Sequence, residues 1–326
     1  MAVYTRLGAE DMAGIIAAFD VGTLISAKGI AEGVSNSNWL IETQDTKGQA
    51  RRFILTMYET RTDVADLPFF LGLLDHLAAK QCPVPRTIHD REGASFRLHE
   101  GKALALIEFL PGVSVSEPTT GQARAVGATL AQVHLAAQDF PAARDNSMGL
   151  AAWQELLGAC GHDGLASIDP DLARLVDHEL PLIASLWPSN LPRGVIHADL
   201  FPDNVLMLGD KVTGLIDFYF ACTDVTAYDI AVTHAAWCFS ADGTTFQPEL
   251  SSALLEGYET VRPLLPEERM ALPILARAAA MRFLATRAYD WLNTPDDALV
   301  TPKDPMAFAR RLQFYADPAN EGIFAR

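Results

Sequence analysis

The sequence predicts an α+β protein of two parts, a strand-rich N-terminal part over residues 1–110 and a larger, mostly helical part over residues 111–326. Three observations support this prediction. Short β-like runs separated by turn residues dominate the first part, whereas apolar residues spaced for a helix dominate the second. The pair Pro111-Gly112 ends the strand-rich part sharply. With 49% hydrophobic residues, the chain has ample material for a folded core.

The composition excludes several classes of protein. A chain this apolar is not mainly disordered. Its 25 basic and 41 acidic residues give a net charge of −16, which repels nucleic acid and anionic membranes and favours small-molecule partners. There is no apolar run long enough to span a membrane and no signal-peptide pattern. The four cysteines are scattered, which favours a reducing cytoplasm, and the sequence gives no indication of the oligomeric state.

The N-terminal part is expected to be a mostly antiparallel sheet with one intervening helix. A polar turn separates two strands that form a hairpin, and the helix has Asp66 as its predicted N-cap. The predicted elements are a helix over 9–19, strands over 36–43 and 52–59, a helix over 66–80, and two strands within 96–112.

The C-terminal part is expected to be helical, with a small β insertion. Pro181 divides or kinks one of its helices, and a Gly209-Asp210 turn divides the second β segment. The predicted helices cover 119–138, 169–187, 225–239, 248–264, 266–292 and 304–314, and the β segments cover 194–199 and 204–220.

The strongest chemical signal lies in this β insertion, VIHADLFPDNVLMLGDKVTGLIDFYF. Its polar residues are His197, Asp199, Asp203, Asn204 and Asp217, and they are flanked by Val, Ile, Leu and Phe. Carboxylates among apolar strands are costly unless they are paired or bind a metal. Carboxylate and amide oxygens suit Mg²⁺. The sequence therefore predicts a hard-cation site, with one carboxylate left for acid–base chemistry.

The spacing of these residues resembles the kinase catalytic loop. His-x-Asp-x₄-Asn is followed by Asp217-Phe218 where kinases carry Asp-Phe-Gly, although Tyr219 replaces the glycine. Ala198 stands where protein kinases have arginine. The segment is similar to the aminoglycoside phosphotransferase and choline kinase-like branch of the protein-kinase-like superfamily, which implies a two-lobed protein-kinase-like fold.

This resemblance implies roles for individual residues, with ATP as phosphoryl donor and Mg²⁺ as cofactor. Asp199 would be the catalytic base, and Asn204 and Asp217 would hold the metal. His197 and Asp229 would brace the catalytic loop. The residues that would bind the nucleotide are Gly29, Gly33, Ser35, Asn36 and Ser37 in a glycine-containing loop, and Glu108 and Leu110 at the hinge.

Longer segments narrow the resemblance to the homoserine kinases of this fold. They include DLPFFLGLLDHLA, AYDIAVTHAAWCF, RFLATRAYDWLNTP and ALVTPKDP. This implies phosphorylation of the γ-hydroxyl of L-homoserine, a step toward threonine. Two alternatives stay open: a kinase of another small amine or sugar (choline, ethanolamine, methylthioribose or an aminoglycoside), or a nucleotide-binding pseudokinase.

Two further features concern the cations that would bind the phosphates and the acceptor. Thr56 occupies the strand position where these kinases usually carry a phosphate-binding lysine. A carboxylate-bearing acceptor needs a cation. The helix RAAAMRFLATRAYDW offers Arg277, Arg282 and Arg287, of which Arg282 is the predicted acceptor-binding residue.

Overall fold

A computed structural model describes residues 7–30, 36–59, 63–295 and 301–325. The chain divides into two compact units, Met1–Pro111 and Gly112–Arg326. The first unit contains an antiparallel sheet and the second is mainly helical, which confirms the predicted α+β class. Among the described residues, no helix is both long enough and apolar enough to cross a membrane.

The first unit is built on a six-stranded antiparallel sheet. Its strand order is β1-β2-β3-β6-β4, and β5 also pairs with β6. The elements are α1 (Ala9–Ala17), β1 (Thr23–Ile30), β2 (Asn36–Gln44), β3 (Ala50–Tyr58), α2 (Leu67–Ala79), β4 (Thr87–Ile88), β5 (Arg97–His99) and β6 (Lys102–Glu108).

The core of this unit lies between α1 and one face of the sheet. Alternate residues of β2 and β3 point to that face, because successive side chains of a strand point to opposite sides. Trp39 and Ile41 from β2, with Leu55 and Met57 from β3, pack there against Ile16 of α1.

Two features of the first unit differ from the sequence prediction. β1 was not predicted, because it lies at the sheet edge with most of its residues exposed and so lacks an apolar pattern. Asp66 stands at the predicted N-cap position of α2, but its side chain makes no capping hydrogen bond. Asp63 caps instead, since its carboxylate accepts the Ala65 N–H at 2.9 Å and opens a short 3₁₀ turn before α2.

The second unit consists of helices and two small antiparallel strand pairs. β8 pairs with β9, and β10 pairs with β7. The elements are α3 (Thr120–Ala136), α4 (Leu150–Ile168), α5 (Leu172–Leu186), β7 (Arg193–Ile196), β8 (Val205–Leu208), β9 (Lys211–Leu215), β10 (Cys222–Val225), α6 (Thr226–Trp237), α7 (Pro248–Glu259), α8 (Pro266–Asn293) and α9 (Met306–Ala316).

The sequence did not predict α4 or β10. Only Trp153, Leu157 and Leu165 are buried along the 19 residues of α4, and Gly161 breaks its helical geometry with a φ of 65°. An apolar stripe this sparse gives little periodic signal. β10 is only four residues long and directly precedes α6, so the sequence pattern merges with that of the helix.

Helix α6 lies at the centre of the second unit, where all twelve of its residues are buried. Small alanines let neighbouring elements approach closely, and the polar residues are satisfied internally. His234 is an example: its ring nitrogens lie 2.7 Å from the Tyr315 hydroxyl and 2.8 Å from the Ser251 hydroxyl.

The burial of His234 predicts a loss of stability in acid. Burial lowers the pKa of His234 from 6.5 to about 3, so the folded protein stays unprotonated where the unfolded chain takes up a proton. His234 therefore leaves the free energy of unfolding unchanged above pH 6.5. As the pH drops from 6.5 toward 3, this residue lowers the free energy of unfolding by at most about 1.4 kcal/mol per pH unit. Urea unfolding at several pH values should show a flatter acid slope for His234→Gln than for the wild type. Equal slopes would contradict this account.

Candidate active site

The predicted catalytic residues lie where short strands of the second unit end. β7 ends at Ile196, and the loop from His197 to Asn204 leads into β8. Asp217 follows β9, the partner of β8, and the Ile216 N–H donates to the Asn204 carbonyl at 3.0 Å. This hairpin closure places Asp217 beside the end of the loop.

Asn204 connects the loop to the candidate base. Its amide nitrogen donates to the Asp199 backbone carbonyl at 2.8 Å and to the Asp199 carboxylate at 3.2 Å. Since the nitrogen makes both bonds, the amide oxygen, to which no described residue donates, stays available to a ligand. The asparagine is buried, whereas Asp199 is partly open to solvent.

Desolvation and neighbouring carboxylates raise the pKa of both Asp199 and Asp217. Burial first, and then the charges of Asp217 and Asp203, raise the pKa of Asp199 to about 7, although Arg282 opposes the shift. Asp217 is exposed, yet desolvation by its neighbours and the charge of Asp203 raise its pKa to about 6. Such a site gains from a bound cation.

The donor set fits Mg²⁺ with substrate rather than a closed protein cage. Among the described residues, no three His, Cys, Asp or Glu side chains come close enough to hold a metal by themselves. Mg²⁺ usually reaches a protein through one or two carboxylates, with waters and phosphate oxygens completing its shell. Asn204 and Asp217 offer one amide oxygen and one carboxylate of that kind.

Asp229 of α6 holds the backbone at the start of the loop. Its two carboxylate oxygens accept the His197 and Ala198 N–H groups, each at 2.7 Å, and one of them also lies 3.0 Å from His134 Nε2. Burial alone would raise the pKa of this carboxyl, but the hydrogen bond and charge of His134 and the bonds to the loop hold it below its ordinary value. Asp229 is therefore a fully buried anion whose partners are all in place.

His197 holds the loop against the segment after β9 that contains Asp217. Its Nε2 donates to the Ile216 carbonyl at 3.0 Å, and its Nδ1 accepts the Asp199 N–H at 3.2 Å. This pattern requires the neutral imidazole, and burial lowers the pKa of His197 in agreement with it. The ring also packs on Phe218, with centroids 4.4 Å apart.

Ala198 adopts a left-handed backbone conformation with φ of 63°, which is unfavourable for a residue with a Cβ. Conformations of this kind cost about 1–3 kcal/mol and persist only where the surroundings enforce them. Here both sides are fixed, because Asp229 accepts the Ala198 N–H and Arg282 donates to the Ala198 carbonyl. Trp237 adds a third anchor through a 2.9 Å bond to the Leu200 carbonyl.

Arg282 thus lies on the buried side of the loop from His197 to Asn204. Its side chain is only 2% exposed, and its guanidinium lies over the rings of Phe220 and Phe283. This placement favours a role in holding the loop, while its predicted contact with the acceptor remains a prediction. In the neighbouring Arg277, both Nε and Nη2 contact Oε2 of the buried Glu179, at 2.8 and 2.5 Å.

Two residues that support the loop, His134 and Trp237, were not predicted from the sequence. His134 lies on the apolar side of α3, and its second ring nitrogen lies 2.7 Å from the Tyr258 hydroxyl. A polar residue in the apolar stripe of a helix was the only available signal, and that signal does not name the partner.

The residues predicted for the nucleotide lie in the first unit. Gly29 is exposed in β1 opposite Trp39. Asn36 and Ser37 begin β2 with buried side chains, and the Ser37 hydroxyl donates to Glu59 at 2.7 Å. Glu108 ends β6, and Leu110 lies two residues further on. Gly33 and Ser35 lie outside the described residues.

Thr56 occupies the interior of the sheet. It is 2% exposed, and its hydroxyl donates to the Asn38 side chain at 2.8 Å. The strand position that usually carries a lysine is therefore filled by a small hydrogen-bonded residue. A lysine does lie at the start of the adjacent β6, where Lys102 pairs with Glu59 at 2.5 Å.

Comparisons with known proteins agree with this geometry. Residues 26–264 match the model of the phosphotransferase enzyme family. The chain is 49% identical over 315 residues to a homoserine kinase of Azorhizobium caulinodans, which covers 97% of this chain and 96% of that protein. It is 50% identical over 315 residues to a homoserine kinase of Acidiphilium cryptum, covering 97% of each.

A solved structure supports the fold. Amicoumacin kinase in complex with AMP-PNP, Ca²⁺ and Ami has a TM-score of 0.71 to this chain at 17% identity, covering 95% of this chain and 93% of the other. This likeness confirms the kinase-like fold that the motif spacing predicts.

Proposed function

The chain belongs to the phosphotransferase enzyme family, and on that premise we propose that it transfers the γ-phosphoryl group of ATP to the side-chain hydroxyl of L-homoserine. The observation that carries this proposal is the near-full-length identity of about one half to two homoserine kinases. The grouping of Asp199, Asn204 and Asp217 supports the same reaction. The product is O-phospho-L-homoserine, an intermediate toward threonine.

Asp199 is proposed as the base of the reaction. Its carboxylate accepts the proton of the acceptor hydroxyl as the oxygen bonds to the γ-phosphorus, and the bond from that phosphorus to the β–γ bridging oxygen breaks to release ADP. A pKa of about 7 makes Asp199 a stronger base than an ordinary carboxylate while leaving much of it ionised near neutral pH.

Asn204 and Asp217 are proposed to hold Mg²⁺ through the amide oxygen and the carboxylate described above. When bound, Mg²⁺ neutralises negative charge on the phosphate oxygens. Asp217 also keeps its raised pKa only while no cation is near, since a positive charge favours the ionised form.

His197 and Asp229 are proposed as positioning residues. Neither has a surface from which to contact a substrate, since they are 1% and 0% exposed. Their hydrogen bonds fix the backbone on either side of Ala198, and that backbone sets the direction of the Asp199 carboxylate. Small displacements of a reacting group are costly in catalysis.

Nucleotide binding is proposed for the residues implied by the family resemblance, through backbone groups rather than charged side chains. Gly29 offers an exposed backbone without a Cβ. Asn36 and Ser37, whose side chains are buried, would contribute through the main chain and through the shape of the strand end. Gly33, Ser35, Glu108 and Leu110 complete the proposed set.

A substrate panel tests the proposed acceptor. We expect ADP release with Mg²⁺ and ATP to be fastest with L-homoserine and much slower with choline, ethanolamine, methylthioribose or kanamycin. ATP without an acceptor measures background hydrolysis. Faster turnover of another panel member would replace homoserine as the acceptor, and no acceptor-stimulated release with any of them would favour the pseudokinase alternative.

A further inference from the structure

We propose that Arg287 binds the carboxylate of the amino-acid acceptor, and that this contact makes the enzyme prefer an amino acid to the corresponding amino alcohol. The inference rests on the proposed function, because it concerns the acceptor of that same reaction. It begins with the three arginines on α8 and with what each guanidinium already contacts.

Two of the three arginines are already engaged. Arg277 pairs with the buried carboxylate of Glu179, and Arg282 donates to the Ala198 carbonyl from an almost fully buried position. Moving either guanidinium to a substrate would leave a buried polar group without its partner, which is unfavourable. Arg287 is partly exposed and makes one hydrogen bond to the residues that the structure describes, from Nη1 to the Asp304 carbonyl at 3.1 Å.

The guanidinium of Arg287 is held in place with most of its N–H donors unused by the described residues, as in a site that binds an anion. Its guanidinium lies 4.5 Å from the ring centroid of Phe308, which supports one face of the planar group. Within the described part of the chain, no carboxylate forms an ion pair with it. Four of its five N–H donors are therefore left for a ligand, in a fork that matches a carboxylate.

The electrostatics of Arg287 agree with this role. Burial and the charge of Arg311 lower its pKa to about 10, so it stays charged at neutral pH in surroundings that leave its charge only partly compensated. Bringing an anion to such a cation is more favourable than bringing it to a cation in bulk water. This is a local positive site in a chain whose net charge is −16.

Arg287 also lies near the catalytic loop. The Phe308 ring beneath it is 6.0 Å from the ring of Phe201, two residues after Asp199. The charges of Asp199 and Asp203 both act on Arg287. Homoserine spans about 5–6 Å from its carboxylate to its hydroxyl, by standard bond lengths. In the proposed binding mode, a carboxylate held at Arg287 therefore directs the hydroxyl toward the base.

The test compares Arg287→Ala and Arg287→Lys with the wild type on two ligands, L-homoserine and 3-aminopropan-1-ol. The second ligand is homoserine without its carboxylate, and it is measured as a substrate or as a competitive inhibitor. Arg310→Ala is the matched control, because Arg310 is a nearby arginine that lies 3.6 Å from the Asp304 carboxylate.

We expect Arg287→Ala to raise the homoserine KM by roughly 10- to 100-fold, as for loss of a charge-assisted contact. The KM or inhibition constant for 3-aminopropan-1-ol and the KM for ATP should stay near the wild-type values. For Arg287→Lys, the homoserine KM should lie between those of the wild type and Arg287→Ala. Unchanged homoserine KM in both variants would overturn the proposal. So would an equal loss for both ligands, since that indicates a structural role. Failure of the wild type to phosphorylate homoserine would instead count against the proposed function.

Discussion

Asp199→Asn is expected to lower kcat for homoserine phosphorylation by roughly 10²–10⁴-fold, the range usual for loss of a general base, with the KM for ATP little changed. The variant keeps the size of the side chain, and the backbone bonds around it do not depend on the carboxylate. The Asp199 N–H still donates to His197, and its carbonyl still accepts from Asn204. What disappears is the group that accepts the proton, which acts on kcat rather than on nucleotide binding.

Steady-state kinetics with both substrates varied will measure this effect. Asp210→Asn is a suitable control, because Asp210 is an exposed acid in the turn between β8 and β9 of the same unit. It should retain kcat near the wild-type value. If the Asp199→Asn defect lay wholly in the KM for ATP, the role of base would be wrong.

Asp217→Asn is expected to reduce turnover by more than about 100-fold, since loss of even an outer-shell partner of a metal typically costs 10–100-fold. Asparagine suits this position better than alanine as a test. Asp217 has a left-handed φ of 65°, a conformation that asparagine adopts at a lower cost than alanine. The substitution therefore removes the charge of the ligand with little disturbance of the backbone between β9 and β10.

The metal dependence of the two proteins distinguishes this role from a purely structural one. The wild type should lose activity with EDTA and regain it with Mg²⁺ or Mn²⁺, whereas Asp217→Asn should require a higher metal concentration for any residual rate. Thermal unfolding without metal should be similar for both. Full activity of the variant in the presence of EDTA would contradict the metal assignment.

Features that depend on local pattern were predicted from the sequence. β2 and β3 are short runs rich in apolar and β-branched residues on either side of a polar turn, and this local pattern is visible in the sequence. The His-x-Asp-x₄-Asn spacing was visible for the same reason, since Asp199 and Asn204 belong to one continuous loop. β1 and α4 were missed, because an exposed edge strand and a helix with three buried residues have little apolar periodicity.

Contacts between residues distant in sequence could not be predicted from the sequence. The bond from His134 to Asp229 joins α3 to α6 across 95 residues, and the bond from Arg282 to Ala198 spans 84. No periodicity encodes such pairs, because they form only when the helices pack. The choice among the three arginines of α8 depended on the same kind of contact, since only the fold shows that Arg277 is occupied by Glu179.

The central claim is the transfer of phosphate to the homoserine hydroxyl, and identification of the product tests it most directly. The enzyme, ATP, Mg²⁺ and L-homoserine should yield a phosphate monoester whose ³¹P resonance couples to the two γ-methylene protons. Its formation should match ADP release mole for mole. Inorganic phosphate as the sole product, or unmodified homoserine alongside a phosphorylated alternative acceptor, would contradict the claim.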